Sequence, residues 1–183
     1  FGAVAAMWNI TNESFMRSTK SWLNDLQLRV SYGSTGNSGI DPYMYLGLAG
    51  TTPTYVTGSG TAMANASNPD LTWETVKTFN IGLSGRVFDR LSFNVEFYNK
   101  VTSNMLMNIP YSYTTGFSDG WGNVGEMRNR GVDVNLSADI IKTKDWYWNV
   151  SVNFNYNKNE ITELFNGLDS YDVTNAVHLQ KGH

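Results

Sequence analysis

The chain has 183 residues, with 13 Lys and Arg against 16 Asp and Glu, a formal net charge of −3 and no cysteine. That balance leaves no basic stripe for nucleic acid, and without thiols there are no disulfides and no cysteine-held metal. Charged residues make up 16% and aromatics 14%, where ordinary soluble domains carry about 25% charged residues.

No run approaches the ~18 apolar residues of a membrane helix, so any passage through a bilayer requires a closed β-barrel. The chain starts at Phe1 rather than Met and stops at His183 without a terminating feature; it is expected to be a section of a longer protein.

In chain order, FGAVAAMW (1–8) reads as the tail of a strand. NITNESFMRSTKSWLND (9–25) reads as a connection bearing a short helix through Phe15, Met16, Trp22 and Leu23, with Asn12 or Ser14 as N-cap. Leu26, Leu28, Val30 and Tyr32 then alternate with Gln27, Arg29 and Ser31, the period-two pattern of a strand with one apolar and one polar face. GSTGNSG (33–39) is expected to be a flexible exit from that strand. It lacks the lysine and the strand–helix context of a phosphate loop. Residues 33–72 read as a long Gly-, Ser-, Thr- and Pro-rich connection.

Phe79, Ile81 and Leu83 mark the next strand, and FDR (88–90) a tight turn. Leu91, Phe93, Val95 and Phe97 mark the strand that follows. Residues 100–126 form a second long connection, containing YSYTTGFSDGWGNVG. Val132, Val134, Leu136, Ala138 and Ile140 mark another strand, KTKD (142–145) another tight turn, and WYWNVSVNFNYN (146–157) the last clear strand. No strand is expected beyond it, in NKNEITELFNGLDS.

An antiparallel meander with one apolar face fits a β-sandwich or a membrane barrel, and three features favour the barrel. From Trp146 to Tyr156 there are ten steps, a rise of about 23 Å at a 45° tilt, against an apolar band about 25 Å tall. Short turns fall at one end and long connections at the other. The aromatics Trp146, Trp148 and Tyr156 sit at strand ends, as in interfacial girdles. The expected fold is therefore all-β, about six strands of an up-and-down transmembrane β-barrel, with residues 1–183 all in the barrel wall. Trp146, Trp148, Val150, Val152, Phe154 and Tyr156 would face lipid; Tyr147, Asn149, Ser151 and Asn153 would face the lumen.

LRVSYGSTGNSGI (28–40), NPDLTWETVKTFNIGLSG (68–85), NVEFYNKVTSNML (94–106) and NVGEMRNRGVDVNLSADIIKTKDWYWNVSVNFNYNKNEI (123–161) resemble, in order and over nearly the whole chain, the SusC/RagA type of TonB-dependent outer-membrane transporter of Bacteroidetes. NVGEMRNRGVD is the most specific block. KGH (181–183) is similar to the start of a G-x-P-I-G element. The resemblance implies a 22-stranded plugged barrel. It also implies import of oligosaccharide or peptide, energy from TonB–ExbB–ExbD and a SusD-like surface lipoprotein as lid. The plug and the TonB-contacting segment would lie outside this chain. The alternative is a secreted β-sandwich glycan-binding module.

Catalysis finds little support: His178 and His183 have no partner set at suitable spacing, and Asp41, Asp119, Asp169 and Asp172 read as turn formers. No cofactor or metal is expected. The best binding candidates are Tyr111, Tyr113, Phe117, Asp119 and Trp121, since rings stack on sugar faces and carboxylates accept hydroxyls. Contact with the lid or a neighbouring loop is the structural alternative, because interface cores also favour Tyr and Trp. Glu126, Arg128 and Arg130 are expected to form an inward-facing salt-bridge ladder bracing wall or plug, with substrate contact as the other reading.

Overall fold

A computed structural model describes residues 1–55, 58–174 and 177–182. In chain order the strands are β1 (Gly2–Asn9), β2 (Leu23–Asn37), β3 (Ala49–Tyr55), β4 (Gly58–Met63), β5 (Glu74–Val87), β6 (Leu91–Ser103), β7 (Leu106–Pro110), β8 (Asp119–Asn123), β9 (Glu126–Lys142), β10 (Tyr147–Glu163), β11 (Ser170–Thr174) and β12 (Val177–Gln180). Six of them form one sheet in the order β1-β2-β5-β6-β9-β10, while β3-β4, β7-β8 and β11-β12 are separate two-stranded sheets. With the small hairpins set aside, sheet order follows chain order, which is the expected up-and-down antiparallel meander of six strands. The chain divides into two compact units. One comprises residues 1–35, 77–101 and 128–160, and the other residues 36–76, 102–127 and 161–183.

In the first unit, period-two sequence becomes a two-faced sheet. The β1–β2 register sets Val4 opposite Tyr32, Ala6 opposite Val30 and Trp8 opposite Leu28 on one face, with Ala5 opposite Ser31 and Met7 opposite Arg29 on the other. The polar face is tied across strands. Arg29 donates to Asn94 Oδ1 at 2.6 Å and Asn80 Nδ2 donates to Ser31 Oγ at 3.2 Å. Asn149 Nδ2 donates to Asp139 Oδ1 at 2.8 Å, Tyr147 Oη to the same oxygen at 2.7 Å, and Asn155 to Asp133.

On the apolar face Trp8 Nε1 donates to Glu13 Oε1 at 3.0 Å, in the connection after β1. Val4, Trp8, Phe79, Ile81, Leu83, Val95, Phe97, Leu136, Ile140, Trp148, Val152 and Phe154 are all exposed. Among the described residues the other sheets are two-stranded hairpins only. Among the described residues the buried apolar side chains are Leu23, Leu164 and Phe165. The accessible surface is 12564 Å², where a globular protein of this mass exposes roughly 8,900 Å².

The turns show how local strain is carried. Phe88 and Asp89 both have positive φ, 54° and 55°, and Arg90 N–H donates to Val87 O at 3.1 Å. This is a type I′ turn, the form that matches strand twist but usually needs Asn-Gly. Here the strained residues are held by neighbours: Phe88 N–H donates to Trp22 O at 2.7 Å, Asp89 N–H to Asn24 Oδ1 at 2.8 Å, and the Phe88 and Trp22 rings lie 6.3 Å apart.

Several expectations are corrected. Residues 10–19 form two 3₁₀ helices, Ile10–Asn12 and Ser14–Thr19; the second takes in Phe15 and Met16 of the expected helix but stops before Trp22 and Leu23, is capped by Glu13 without a side-chain bond, and Leu23 opens β2. Gly33–Asn37 is strand, not a flexible exit, because Gly33 and Ser34 still pair with Ala3 and Gly2. β10 continues through Asn157–Glu163, where no strand was expected. Trp146 lies before β10, in a turn where it receives Thr143 N–H at 2.8 Å on its carbonyl.

Candidate functional site

The second unit is built on hairpins that asparagine side chains hold in place. Residues 68–72 clamp β8: Asn68 Nδ2 donates to Trp121 O at 2.9 Å, while Thr72 and Asn123 exchange two bonds of 2.7 Å each, N–H to Oδ1 and Nδ2 to O. Asn65 Nδ2 donates to Leu46 O at 2.7 Å and its Oδ1 accepts Leu48 N–H at 2.9 Å, fixing the bend before β3. Glu74 accepts Leu106 N–H and Asn37 Nδ2, each at 3.0 Å. None of these residues stood out as a site element in the sequence. The signal was present in NPDLTW, where the Asn68 side chain serves the Trp121 carbonyl and the Thr72 backbone is served by Asn123.

The five loop candidates separate on the β7–β8 hairpin. Its register pairs Asn108 with Trp121, Ile109 with Gly120 and Pro110 with Asp119. Period two then puts Asp119, Trp121 and Asn108 on one face. Tyr111 belongs to the other, where its ring crosses Gly120 so closely that a β-carbon there would meet ring carbon Cε2 at 2.7 Å. Tyr113 projects from the tip at 89% exposure, in a 3₁₀ turn ended by Gly116 at φ 82°.

Phe117, Asp119 and Trp121, with Met44, Met63 and Asn65, line a cleft of ≈ 310 Å³. Asp119 is held by Ser118 Oγ–H at 2.7 Å and Asn108 Nδ2–H at 2.9 Å, and these two donors, Ser118 first, keep its carboxyl below the ordinary 3.8. It is therefore an anion at neutral pH.

The charged trio at the start of β9 does not pair internally. Glu126 Oε1 accepts Thr162 Oγ1–H at 2.9 Å. Arg130 meets Glu160 at 3.4 Å, which also receives Lys158 at 3.4 Å. Arg128 keeps its Nε buried without a partner among the described residues. His178 falls in β12 and His183 outside the described residues, and no cluster of three metal-ligating groups occurs among those described.

A family model described as "TonB dependent receptor-like, beta-barrel" matches residues 1–178. The chain is 34% identical over 177 residues to TonB-dependent receptor P26 of Formosa agariphila, covering 94% of this chain and 18% of that protein. It is 33% identical to TonB-dependent receptor SusC of Bacteroides thetaiotaomicron, covering 100% of this chain and 19% of that one. Among solved structures, the RagAB peptide importer in its closed-closed state superposes with a TM-score of 0.85 at 41% identity, over 99% of this chain and 20% of that one. The open-open state gives 0.87 at the same identity. The chain thus spans about a fifth of the length of the relatives it matches. The SusC/RagA resemblance carried by NVGEMRNRGVD and its flanking blocks holds across the whole segment. The chain belongs to the TonB-dependent receptor-like β-barrel family.

Proposed function

We propose that this chain is a wall segment of an outer-membrane importer for oligomeric nutrients, oligosaccharide or peptide. The importer would be energised through TonB–ExbB–ExbD and closed by a SusD-like lipoprotein; it would carry out no bond chemistry. The observation that carries the reading is the apolar sheet face, exposed from Val4 in β1 to Phe154 in β10 on strands of up to 17 residues. Such a face is stable against hydrocarbon, and strands this long exceed the ~25 Å apolar band even when tilted by about 45°.

On this reading Trp148, Val150, Val152, Phe154 and Tyr156 face lipid, and Trp146 sits at the interface in its turn. The hydrophilic end of β10, Asn157–Glu163, extends the strand beyond the bilayer. The polar face, with its Asn, Ser, Asp and Tyr ladder, lines the hydrated lumen. The likeness to the RagAB peptide importer supports transport as the function of the whole protein.

The test uses the full-length protein. It should leave the membrane fraction only with detergent and should migrate faster on a gel before boiling than after. A parent freely soluble on cell lysis overturns the proposal.

A further inference from the structure

The apolar face of the first unit ends in a row of cations. Period two carries that face along β5 through Phe79, Ile81 and Leu83, along β9 from Val132 to Ile140, and along β10 from Trp148 to Tyr156. Two positions beyond each run, on the same face, stands a cation: Lys77 before Phe79, Arg130 before Val132 and Lys158 after Tyr156. β5 and β9 begin, and β10 ends, at the side of the meander that carries the long connections, so the three cations lie at one end. Further out on β9 the same face carries Arg128 and then Glu126, whose carboxylate accepts Thr162 Oγ1–H at 2.9 Å.

Side-chain contacts bring two of these cations together. Glu160 Oε2 receives Arg130 Nη2 and Lys158 Nζ, each at 3.4 Å, so residues 130, 158 and 160 share a face as period two requires. Strong charge-assisted bonds run at about 2.7–2.9 Å. One carboxylate serving two cations at longer range leaves a positive charge unmatched within the triad. The Arg130 and Lys158 side chains are 47% and 43% exposed, and each carries several N–H donors that a further acceptor can reach. Lys77 is exposed on the same face.

Cations bordering an apolar band stand where hydrocarbon gives way to water, the level of anionic lipid headgroups. Arginine matches a phosphate through paired N–H donors, and lysine adds a compact charge. On the importer reading this face points away from the lumen, so a substrate in transit does not meet it. Outer-membrane barrels carry their long loops outside, which sets the row in the outer leaflet.

We propose that Arg130 and Lys158, flanked by Lys77, hold the phosphate of an outer-leaflet glycolipid headgroup whose acyl chains lie along the apolar face beyond Tyr156. The proposal rests on the importer reading and adds a lipid partner to the wall. Glu160 competes with the lipid phosphate for both cations.

Native mass spectrometry of the full-length protein in detergent tests it, reading the fraction of protein that carries lipid. The probes are monophosphorylated lipid A, the same lipid with its phosphate removed, and inorganic phosphate. The phosphorylated lipid should bind at least about fivefold tighter than the dephosphorylated one, the scale of one basic residue at a charged membrane surface. Arg130→Gln combined with Lys158→Gln should abolish that preference, whereas Arg130→Lys, which keeps the charge, should retain most of it. Glu160→Gln should strengthen binding several-fold, a gain that a purely structural ion pair would not produce. The heat-dependent gel shift of each variant reports its folding.

Equal binding of the two lipids, or a preference unchanged in the double variant, overturns the proposal and leaves the importer reading standing. Displacement of the lipid by millimolar inorganic phosphate also overturns it, marking a site for any small anion. A soluble parent that shows no heat-dependent gel shift defeats the importer reading itself.

Discussion

Tyr98 lies across Gly131: a β-carbon built on this glycine would come within 2.6 Å of the ring carbon that bears the phenol oxygen. The ring reaches from β6 over β9 and donates its hydroxyl proton to Asn157 Oδ1 of β10 at 3.2 Å. Glycine within a strand marks a close approach of this kind, an aromatic side chain covering the bare backbone. It explains why the block NVGEMRNRGVD carries glycine at 131 in the middle of a 17-residue strand.

Gly131→Ala should therefore destabilise the full-length barrel by about 1–3 kcal/mol, the usual effect of overpacking. The new methyl meets both Tyr98 and the Tyr156 carbonyl. Tyr98→Phe removes one hydrogen bond and should cost about 0.5–1.5 kcal/mol. The temperature at which the compact gel band converts to the unfolded one reads both.

The two faces of β10 should respond oppositely to charge. Val152→Arg sets a cation on the apolar face and should cost about 2–4 kcal/mol if that position lies near the bilayer midplane. Asn153→Arg, on the polar face one residue later, should stay within about 1 kcal/mol. Folded yield in the outer-membrane fraction separates the two, and equal losses would contradict the facing assigned to the strand.

The Phe88–Asp89 turn should improve with a glycine. Asp89→Gly relieves a φ of 55° while leaving the backbone bond to Asn24 in place, for a gain of about 0.5–1 kcal/mol. Phe88→Gly relieves similar strain but loses the Trp22 ring contact, so its gain should be smaller or reversed. Urea unfolding in detergent compares them.

Acid should loosen the β7–β8 hairpin late. The donors Ser118 and Asn108 hold Asp119 below the ordinary 3.8 in the folded state. Its contribution is complete above the unfolded value of about 3.9 and is lost as pH falls through the lower folded value. Hydrogen exchange of the hairpin amides should be protected alike at pH 7 and 5 and weaken only below about pH 4. Asn108→Ala should move that loosening to higher pH.

The sheet was legible wherever apolar and polar residues alternate, as at Leu91–Phe97 and Trp148–Tyr156, because period two has one structural meaning. The strand ends were not. Gly33–Asn37 and Asn157–Glu163 lack a clean apolar alternation yet stay paired or extended, and only a neighbouring strand decides that. The hairpins β3–β4 and β7–β8 hid in Gly- and Thr-rich sequence for the same reason: asparagine bonds, not apolar packing, hold them. The loop aromatics were visible as residue types. Their separation was not, since a hairpin register, unreadable from composition, sends Tyr111 and Trp121 to opposite faces. The trio Glu126, Arg128 and Arg130 was visible as charge, but Arg130 pairs with a residue thirty positions on.

The claim that one face of β10 borders lipid is open to direct measurement, because the segment contains no cysteine. Single cysteines placed in turn from Trp146 to Tyr156 of the full-length protein, where its remaining sequence permits unique labelling, would carry nitroxide labels in a bilayer. Collision with oxygen, which partitions into lipid, should peak at 148, 150, 152 and 154. Collision with a water-soluble nickel complex should peak at 147, 149, 151 and 153. Loss of this alternation, or water access at the even positions, would contradict the account.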